Sequence, residues 1–428
     1  MAGDSSASPQ AENGALSWSR ALSWASYDLA NTIYSAVVVS YAIALHAKEF
    51  TGVEKYTFIT YSLSLLASGL FVPFAGELTD RTGRARTYLI VATLACCASC
   101  AAISWVFWAP LIFLFYFVAN FCYQSALAFY DSLLPVVAPP EKRGLVSGLG
   151  VGLGYGGTVI AMPAAMWLLQ FYRSFDPSHE LRFHFVFAAG LFLLFSIPLF
   201  VGVPERPARK KPLPGQKLLR LSFRRTMVTL RALPRHPAML FFLVGNFLCV
   251  DALNAAIIAY APYAENVLGI ERMEIMMWMI PFSLSALALG ILGGRLSDRF
   301  GAGRVLLSAA GAYVVAVLIC GISSSRAAFY GAFILFGGYG LSTIWVAGRK
   351  MLLDLCPPGQ VGKYFGLYNV GHKLSMIGIL LFGLLADVNI PGLAAGGYRA
   401  GLLVQIVTMA AGAACIFKSM KLTSHGST

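Results

Sequence analysis

Gly76-Glu-Leu-Thr-Asp80-Arg81-Thr-Gly83-Arg84-Ala-Arg86 returns 218 positions later as Gly294-Arg-Leu-Ser-Asp298-Arg299-Phe-Gly301-Ala-Gly-Arg304. The same offset lays Pro139-Pro140 on Pro357-Pro358, Gly144 on Gly362, and Gly148-Leu149 on Gly366-Leu367. Separate stretches that share one offset mark a duplicated unit, and each copy of the Asp-Arg segment lies between long apolar runs. A duplicated, apolar chain of this kind implies two membrane-embedded halves that work against each other.

Working outward, the composition agrees. Of the 428 residues, 58% are hydrophobic and 12% charged, against about 25% charged in soluble domains. A hydrocarbon core about 30 Å thick needs about 20 apolar residues per helix. Breaks at Gly, Pro and charge clusters place spans near 20–47, 56–78, 87–107, 110–134, 145–170, 184–203, 238–264, 273–293, 304–322, 327–348, 364–386 and 399–417. The expected fold is therefore all-α, with twelve transmembrane helices in two pseudo-symmetric six-helix bundles, at 20–203 and 237–417. Around them lie a cytoplasmic tail (1–19), a basic linker (204–236) and a second tail (418–428).

Lys and Arg set the orientation. With both termini inside, 24 basic residues fall in cytoplasmic segments, 7 in external ones, and Lys373 within a span. The positive-inside rule selects that topology and accounts for the net charge of +13 without nucleic acid. The linker carries ten Lys/Arg against Glu205. Its segment from Lys217 to Arg225 suits an amphipathic helix on an anionic inner leaflet. The polar segment Met1–Ser17 has no basic start and no cleavage site, so it reads as a tail, not a signal peptide.

Enzymatic chemistry finds no support. No P-loop, H-E-x-x-H or G-x-S-x-G is present, no nucleophile–base set appears, and no cofactor is expected. The eight Cys lie in or beside spans, so no disulfide framework is implied. Cys96-Cys97-Ala-Ser-Cys100 reads as small-residue packing, and Gly148-Leu-Gly-Val-Gly-Leu-Gly154 as a surface for close helix approach.

The Asp-Arg segments fall between spans 2 and 3 and between spans 8 and 9. An Asp at a helix C-terminus opposes the macrodipole and needs another partner. Arg81, Arg84 and Arg86, or a group from the other half, would supply one. Gly76, Asp80, Arg81, Gly83, Arg84, Arg86 and their counterparts Gly294, Asp298, Arg299, Gly301, Arg304 are thus expected to gate the two halves. Asp131 and Arg349, related by the same offset at the ends of spans 4 and 10, are candidate gate-end charges.

Gly76-x-Leu78-x-Asp80-Arg81-x-Gly83-Arg84 resembles the signature loop of the major facilitator superfamily, and the duplicated twelve-span layout is similar along almost the whole chain. The second copy departs from that pattern at Ala302, where the first has Arg84. Three stretches resemble the branch named after vacuolar amino-acid effluxers. They are Trp24-Ala-Ser-Tyr27-Asp28-Leu-Ala-Asn31-Thr-Ile-Tyr34, the glycine run through Tyr155-Gly-Gly157, and Phe365-Gly366-Leu-Tyr368-Asn-Val-Gly371-His372-Lys373. Within the branch, the length and opening segment are similar to magnetosome permeases, which are proposed to move iron. These resemblances imply a secondary transporter in a bacterial inner or magnetosome membrane, with spans 1 and 7 lining the pathway.

Ionisable groups within spans are expensive and mark pathways. Asp28 and Asn31 share a face of span 1, and Asp251 and Asn254 repeat the spacing on span 7 at an offset of 223. The two pairs are expected to confront each other across the pathway, joined by Tyr34, by Asn120, Tyr123 and Gln124 on span 4, and by His372 and Lys373 on span 11. Titration of Asp28 or Asp251 would couple protons to transport. For iron, Asp28, Asp251 and His372 offer suitable ligands if the fold brings them together. Lys373 suits a carboxylate-bearing or zwitterionic solute better. The expected cargo is iron on the resemblance and an amino acid or other small organic solute on the residues. A non-transporting membrane scaffold is the reading from another class.

Overall fold

The computed structural model describes residues 16–51, 55–173, 181–205, 215–323, 325–357, 359–375, 377–386, 388 and 396–425. Residues 1–15 of the expected tail, linker residues 206–214 and Pro358 lie outside the described residues. Twelve helical rods follow in order. In the first half α1 covers 18–51, α2 Lys55–Thr82, α3 Ala85–Ile103, α4 Ala109–Val137, α5 Arg143–Arg173 and α6 Arg182–Gly202. A linker helix, Gly215–Ala232, precedes the second half. There α7 covers Pro237–Leu268, α8 Arg272–Phe300, α9 Ala302–Ile322, α10 326–355, α11 361–386 and α12 Gly396–His425. Eleven of the rods are long and apolar enough to cross a membrane.

The rod that misses that criterion is α1. Its α-helical part, Trp18–Tyr34, has 17 residues before Ser35–Ala42 turns π-helical. A second π-helical turn, Ala332–Gly337, interrupts α10. The rod α11 breaks at Ser375 into Val361–Leu374 and Ile377–Ala386. The helix α12 continues to His425, past the tail boundary expected at 418.

The Asp-Arg segments are less loop than expected. The helix α2 runs through Gly76–Arg81 to Thr82, and α8 runs through Gly294–Arg299 to Phe300. Each turn is then made by one glycine in the left-handed region, Gly83 at φ 72° and Gly301 at φ 89°. A side chain there costs about 1–2 kcal/mol, which explains why the repeat keeps glycine at both positions.

The halves meet along two helix pairs, α5 with α8 and α2 with the first part of α11. Glycine makes the approach close enough. A Cβ on Gly76 would run into the Gly362 carbonyl, one on Gly144 into the Gly294 carbonyl, and one on Gly148 would lie 2.6 Å from the Gly290 carbonyl oxygen. The glycine run of α5 has two faces. Gly148 and Gly152 look to α8, while Gly150, Gly154 and Gly157 look to α1, where added Cβ atoms would meet Asp28, Thr32 and Leu29. Beyond the break, the second part of α11 packs on α7 and α12 of its own half. The tight seam thus lies toward the face that carries both Asp-Arg turns, called the loop face below.

Candidate functional site

At the loop face, each Asp reaches across the seam. The Asp80 carboxylate, at the end of α2, accepts the backbone N–H groups of Gly362 and Lys363 at 2.8 Å each. The Asp298 carboxylate, at the end of α8, accepts those of Gly144 and Leu145 at 2.8 and 2.7 Å. Both targets are first-turn groups, of α11 and α5. An unpaired N–H set and the positive helix end form an anion site. Each Asp leaves the unfavourable C-terminal end of its own helix for the N-terminus of a helix in the other half. Lys350 Nζ adds a cation 4.0 Å from Asp298.

The arginines of the turns do other work. Arg86 donates to the Val203 carbonyl at 2.8 Å, tying α3 to the end of α6. Arg84, Arg299 and Arg304 are exposed, whereas Arg81 is buried. Glu77, in the same segment, is also buried.

One layer deeper sits a buried charge cluster that spans the halves. Arg349 of α10 places Nη1 3.2 Å from Asp28 Oδ2 of α1 and Nε 3.0 Å from Asp131 Oδ1 of α4. Arg349, Asp28 and Asp131 are 7%, 6% and 3% exposed. The guanidinium also lies over the Tyr130 ring, 5.6 Å from its centroid, a favourable cation–π position. Trp24 stacks on the same Tyr130 ring, with centroids 4.3 Å apart. Asn369 of α11 donates to Asp131 Oδ2 at 3.0 Å. Gly150 makes room for the Asp28 carboxylate, since an added Cβ would lie 2.7 Å from Oδ2. Asp28, expected on the pathway, and Asp131 and Arg349, expected at the gate, therefore form one cluster of two carboxylates and one guanidinium.

Lys373 lies beside this cluster on α11. Its Nζ donates to Gln124 Oε1 of α4 at 2.9 Å. Among the described residues Lys373, 7% exposed, makes no ion pair. His372 turns the other way. Its Nε2 is 3.0 Å from Asn246 Nδ2 of α7, and its ring packs against Tyr368 and Trp345 at 4.1 and 4.8 Å. The polar patch on α4 divides. Gln124 faces Lys373, Asn120 donates to Ser64 of α2 at 2.6 Å, and Tyr123 packs with Tyr34 inside the first half at 4.7 Å. Asn31 is buried with no partner for its Oδ1.

Asp251 and Asn254 have a different setting from Asp28 and Asn31. Asp251 Oδ2 accepts the N–H of Gly378 at 2.8 Å, and Asn254 Nδ2 donates to the Ser375 carbonyl at 3.1 Å. Both bonds satisfy backbone groups freed where α11 breaks, a need that is acute in lipid. The shared Asp-x-x-Asn spacing had suggested facing pairs, but the described partners of the two pairs differ. The 218 offset matches Asp28 with Asn246 instead, Tyr130 with Gly348, and Gly150 with Tyr368. The contacts follow that match. Gly348 stands against Asn246 and the Tyr368 hydroxyl as Gly150 stands against Asp28 and the Tyr130 hydroxyl.

The metal set read from the sequence does not assemble. Among the described residues no three His, Cys, Asp or Glu side chains group as ligands. Asp28 is held by Arg349, Asp251 by Gly378, and His372 by Asn246. The cysteines of the described residues are free thiols, and Cys96, Cys97 and Cys100 are packed in the first half.

Sequence reading missed the backbone partners of Asp80 and Asp298, and it missed Asn246, Tyr130, Gly150 and Asn369. The signal was present for some. Gly144 and Gly362 recur at the offset that relates the two Asp residues, and Asp28 maps onto a polar residue by that same offset.

Two bundles joined through a glycine-lined seam, with carboxylates bonded across it at one face and an ion cluster between the halves, define a transporter of the major facilitator superfamily. It is a multi-pass integral membrane protein, not an enzyme. The pattern of the family described as vacuole effluxer Atg22 like matches residues 140–418, and the chain belongs to that family. It is 25% identical over 383 residues to an uncharacterized MFS-type transporter, YxiO, of Bacillus subtilis, covering 86% of this chain and 88% of the relative. The fold superimposes on a bacterial homologue of the iron transporter ferroportin in an outward-facing state, with TM-score 0.69, 15% identity, and coverage of 94% of this chain and 99% of that one. The human organic anion transporter MFSD10 gives TM-score 0.68 and 13% identity, covering 92% and 98%.

Proposed function

We propose that this protein carries a small organic solute with a carboxylate, as an amino acid or a simple organic anion, by alternating access. The observation that carries the reading is Lys373, a buried ammonium between the halves whose described hydrogen-bond partner is the neutral amide of Gln124. A buried cation is costly without a counter-charge, and a carboxylate cargo supplies one. Arg349 already has two carboxylates, so the anion goes to Lys373. The family supports the same choice, because its description is that of a vacuole effluxer. Neighbours of nearly equal fold similarity are titled for iron and for organic anions, so the fold does not select a cargo. Iron as cargo loses its proposed ligand set.

Proton coupling is assigned to the Asp28–Arg349–Asp131 cluster. Protonating one carboxylate leaves a single charge pair across the seam and weakens closure. The loop face is taken as cytoplasmic, on the distribution of Lys and Arg, and the linker helix as resting on its anionic lipid. The test is transport in proteoliposomes with a panel of amino acids, organic anions and iron(II), with and without a pH gradient. Carboxylate flux that vanishes in Lys373→Met supports the proposal. Iron flux without carboxylate flux overturns it.

A further inference from the structure

Among its helices, the second half holds a cavity of about 240 Å³. It lies among α7, α8, α9, α10 and α12, with Tyr155 of α5 as its wall on the other side of the seam. For scale, a cavity of roughly 150 Å³ in an apolar core holds benzene. The walls are aromatic. Tyr260 and Phe333 stack with centroids 3.8 Å apart, Phe282 and Phe333 at 4.1 Å, and Tyr260 and Phe329 at 5.2 Å. Phe333 and Gly337 sit on the π-helical turn Ala332–Gly337, and such turns recur at functional sites. Among the described residues no charged side chain lines the cavity.

Two polar groups in this lining lack partners. Gln405, 1% exposed, has Oε1 2.8 Å from the Tyr313 hydroxyl, while its Nε2 has no partner. The Tyr313 hydroxyl is also 2.8 Å from the Ala252 carbonyl oxygen. A phenol has one proton to donate, and an amide's two ends are interchangeable by a flip. The assignment that satisfies all three groups has the Gln405 amide donate to Tyr313 and Tyr313 donate to Ala252. The Gln405 carbonyl oxygen then takes the unpartnered position. The Tyr260 hydroxyl is likewise buried without a partner. An unpartnered buried acceptor costs about 1–3 kcal/mol, and in an aromatic cavity a ligand donor is its natural complement.

From this geometry we infer a second binding site, for an uncharged, flat solute of one or two rings that carries one N–H or O–H donor, with that donor on Gln405. Charge is excluded by the lining, and the aromatic walls favour a ring over an aliphatic chain. The mouth lies where Ile257 and Met279, both lining residues, are 54% and 37% exposed. The site is independent of Lys373 and of the carboxylate reading.

Calorimetric binding of indole and of 1-methylindole to the purified full chain in nanodiscs tests the inference. Wild type is expected to bind indole about tenfold more tightly than 1-methylindole, the worth of one hydrogen bond. Gln405→Leu is expected to lose that tenfold and to leave 1-methylindole unchanged. Ala256→Trp, which fills the cavity, is expected to abolish both, with size-exclusion profiles confirming that the variants are folded. Equal affinity of the two probes in wild type identifies a cavity for lipid chains and overturns the inference. Absence of indole binding, or indole binding unmoved in both variants, overturns it as well.

Discussion

Replacing Arg349 by Met removes the cation that ion-pairs the two halves at depth while nearly keeping side-chain volume. Asp28 and Asp131 belong to α1 and α4 of the first half, and Arg349 belongs to α10 of the second. With the guanidinium gone, two carboxylates, each under 10% exposed, stay buried without it. Removing one member of a buried ion pair costs about 3–5 kcal/mol. That penalty falls on the conformation with the loop face closed, because opening the seam admits water to the carboxylates. The ratio of closed to open molecules should therefore fall by a factor of roughly 10²–10⁴. The assay is a spin-label distance between positions 84 and 299, exposed at the two Asp-Arg turns, with the eight native cysteines replaced. Wild type should give one dominant distance, and Arg349→Met a second, longer one as the majority. Adding Asp28→Asn and Asp131→Asn to Arg349→Met should restore the first distance, since neutral amides carry no such penalty. An unchanged distribution in Arg349→Met, or no restoration in the triple variant, would refute the reasoning.

Other outcomes follow from the same geometry. Lys373→Met should leave thermal stability within about 1 kcal/mol of wild type or raise it, because no ion pair is lost, while solute uptake disappears. Asp298→Ala removes two charge-assisted bonds to the first turn of α5 and should shift the spin-label distances toward the open form, with a cost of about 1.5–3 kcal/mol per bond. Gly150→Ala drives a methyl into Asp28, the Tyr130 hydroxyl and Trp24 and should lower stability by about 1–3 kcal/mol, read as an earlier thermal transition. Asp251→Asn should retain transport, because an amide oxygen still accepts the Gly378 N–H, whereas Asp28→Asn should lose proton coupling in a pH-gradient assay.

How much of this was legible in the sequence depends on the kind of partner involved. The 218-residue repeat fixed the architecture because duplication copies the positions where helices must turn or touch, as at Gly83 and Gly301 or Gly144 and Gly362. The direction of Asp80 and Asp298 was not legible, since their partners are backbone N–H groups that leave no side-chain signature. The spacing of Asp251 to Asn254, like that of Asp28 to Asn31, did not announce their partners, the Gly378 N–H and the Ser375 carbonyl. A helix break at Ser375, with no proline to announce it, supplies the backbone groups that they bond. Asp131 and Arg349 were visible as an odd pair of aligned opposite charges. That they meet each other, and Asp28 as well, required the two halves to be folded together.

The most direct test of the account compares binding of an amino acid with that of its decarboxylated amine, in wild type and in Lys373→Met. If the cargo carboxylate sits on Lys373, wild type should favour the amino acid by tenfold or more, and Lys373→Met should erase the difference. Equal binding of the two by wild type, or a preference that survives Lys373→Met, would contradict it.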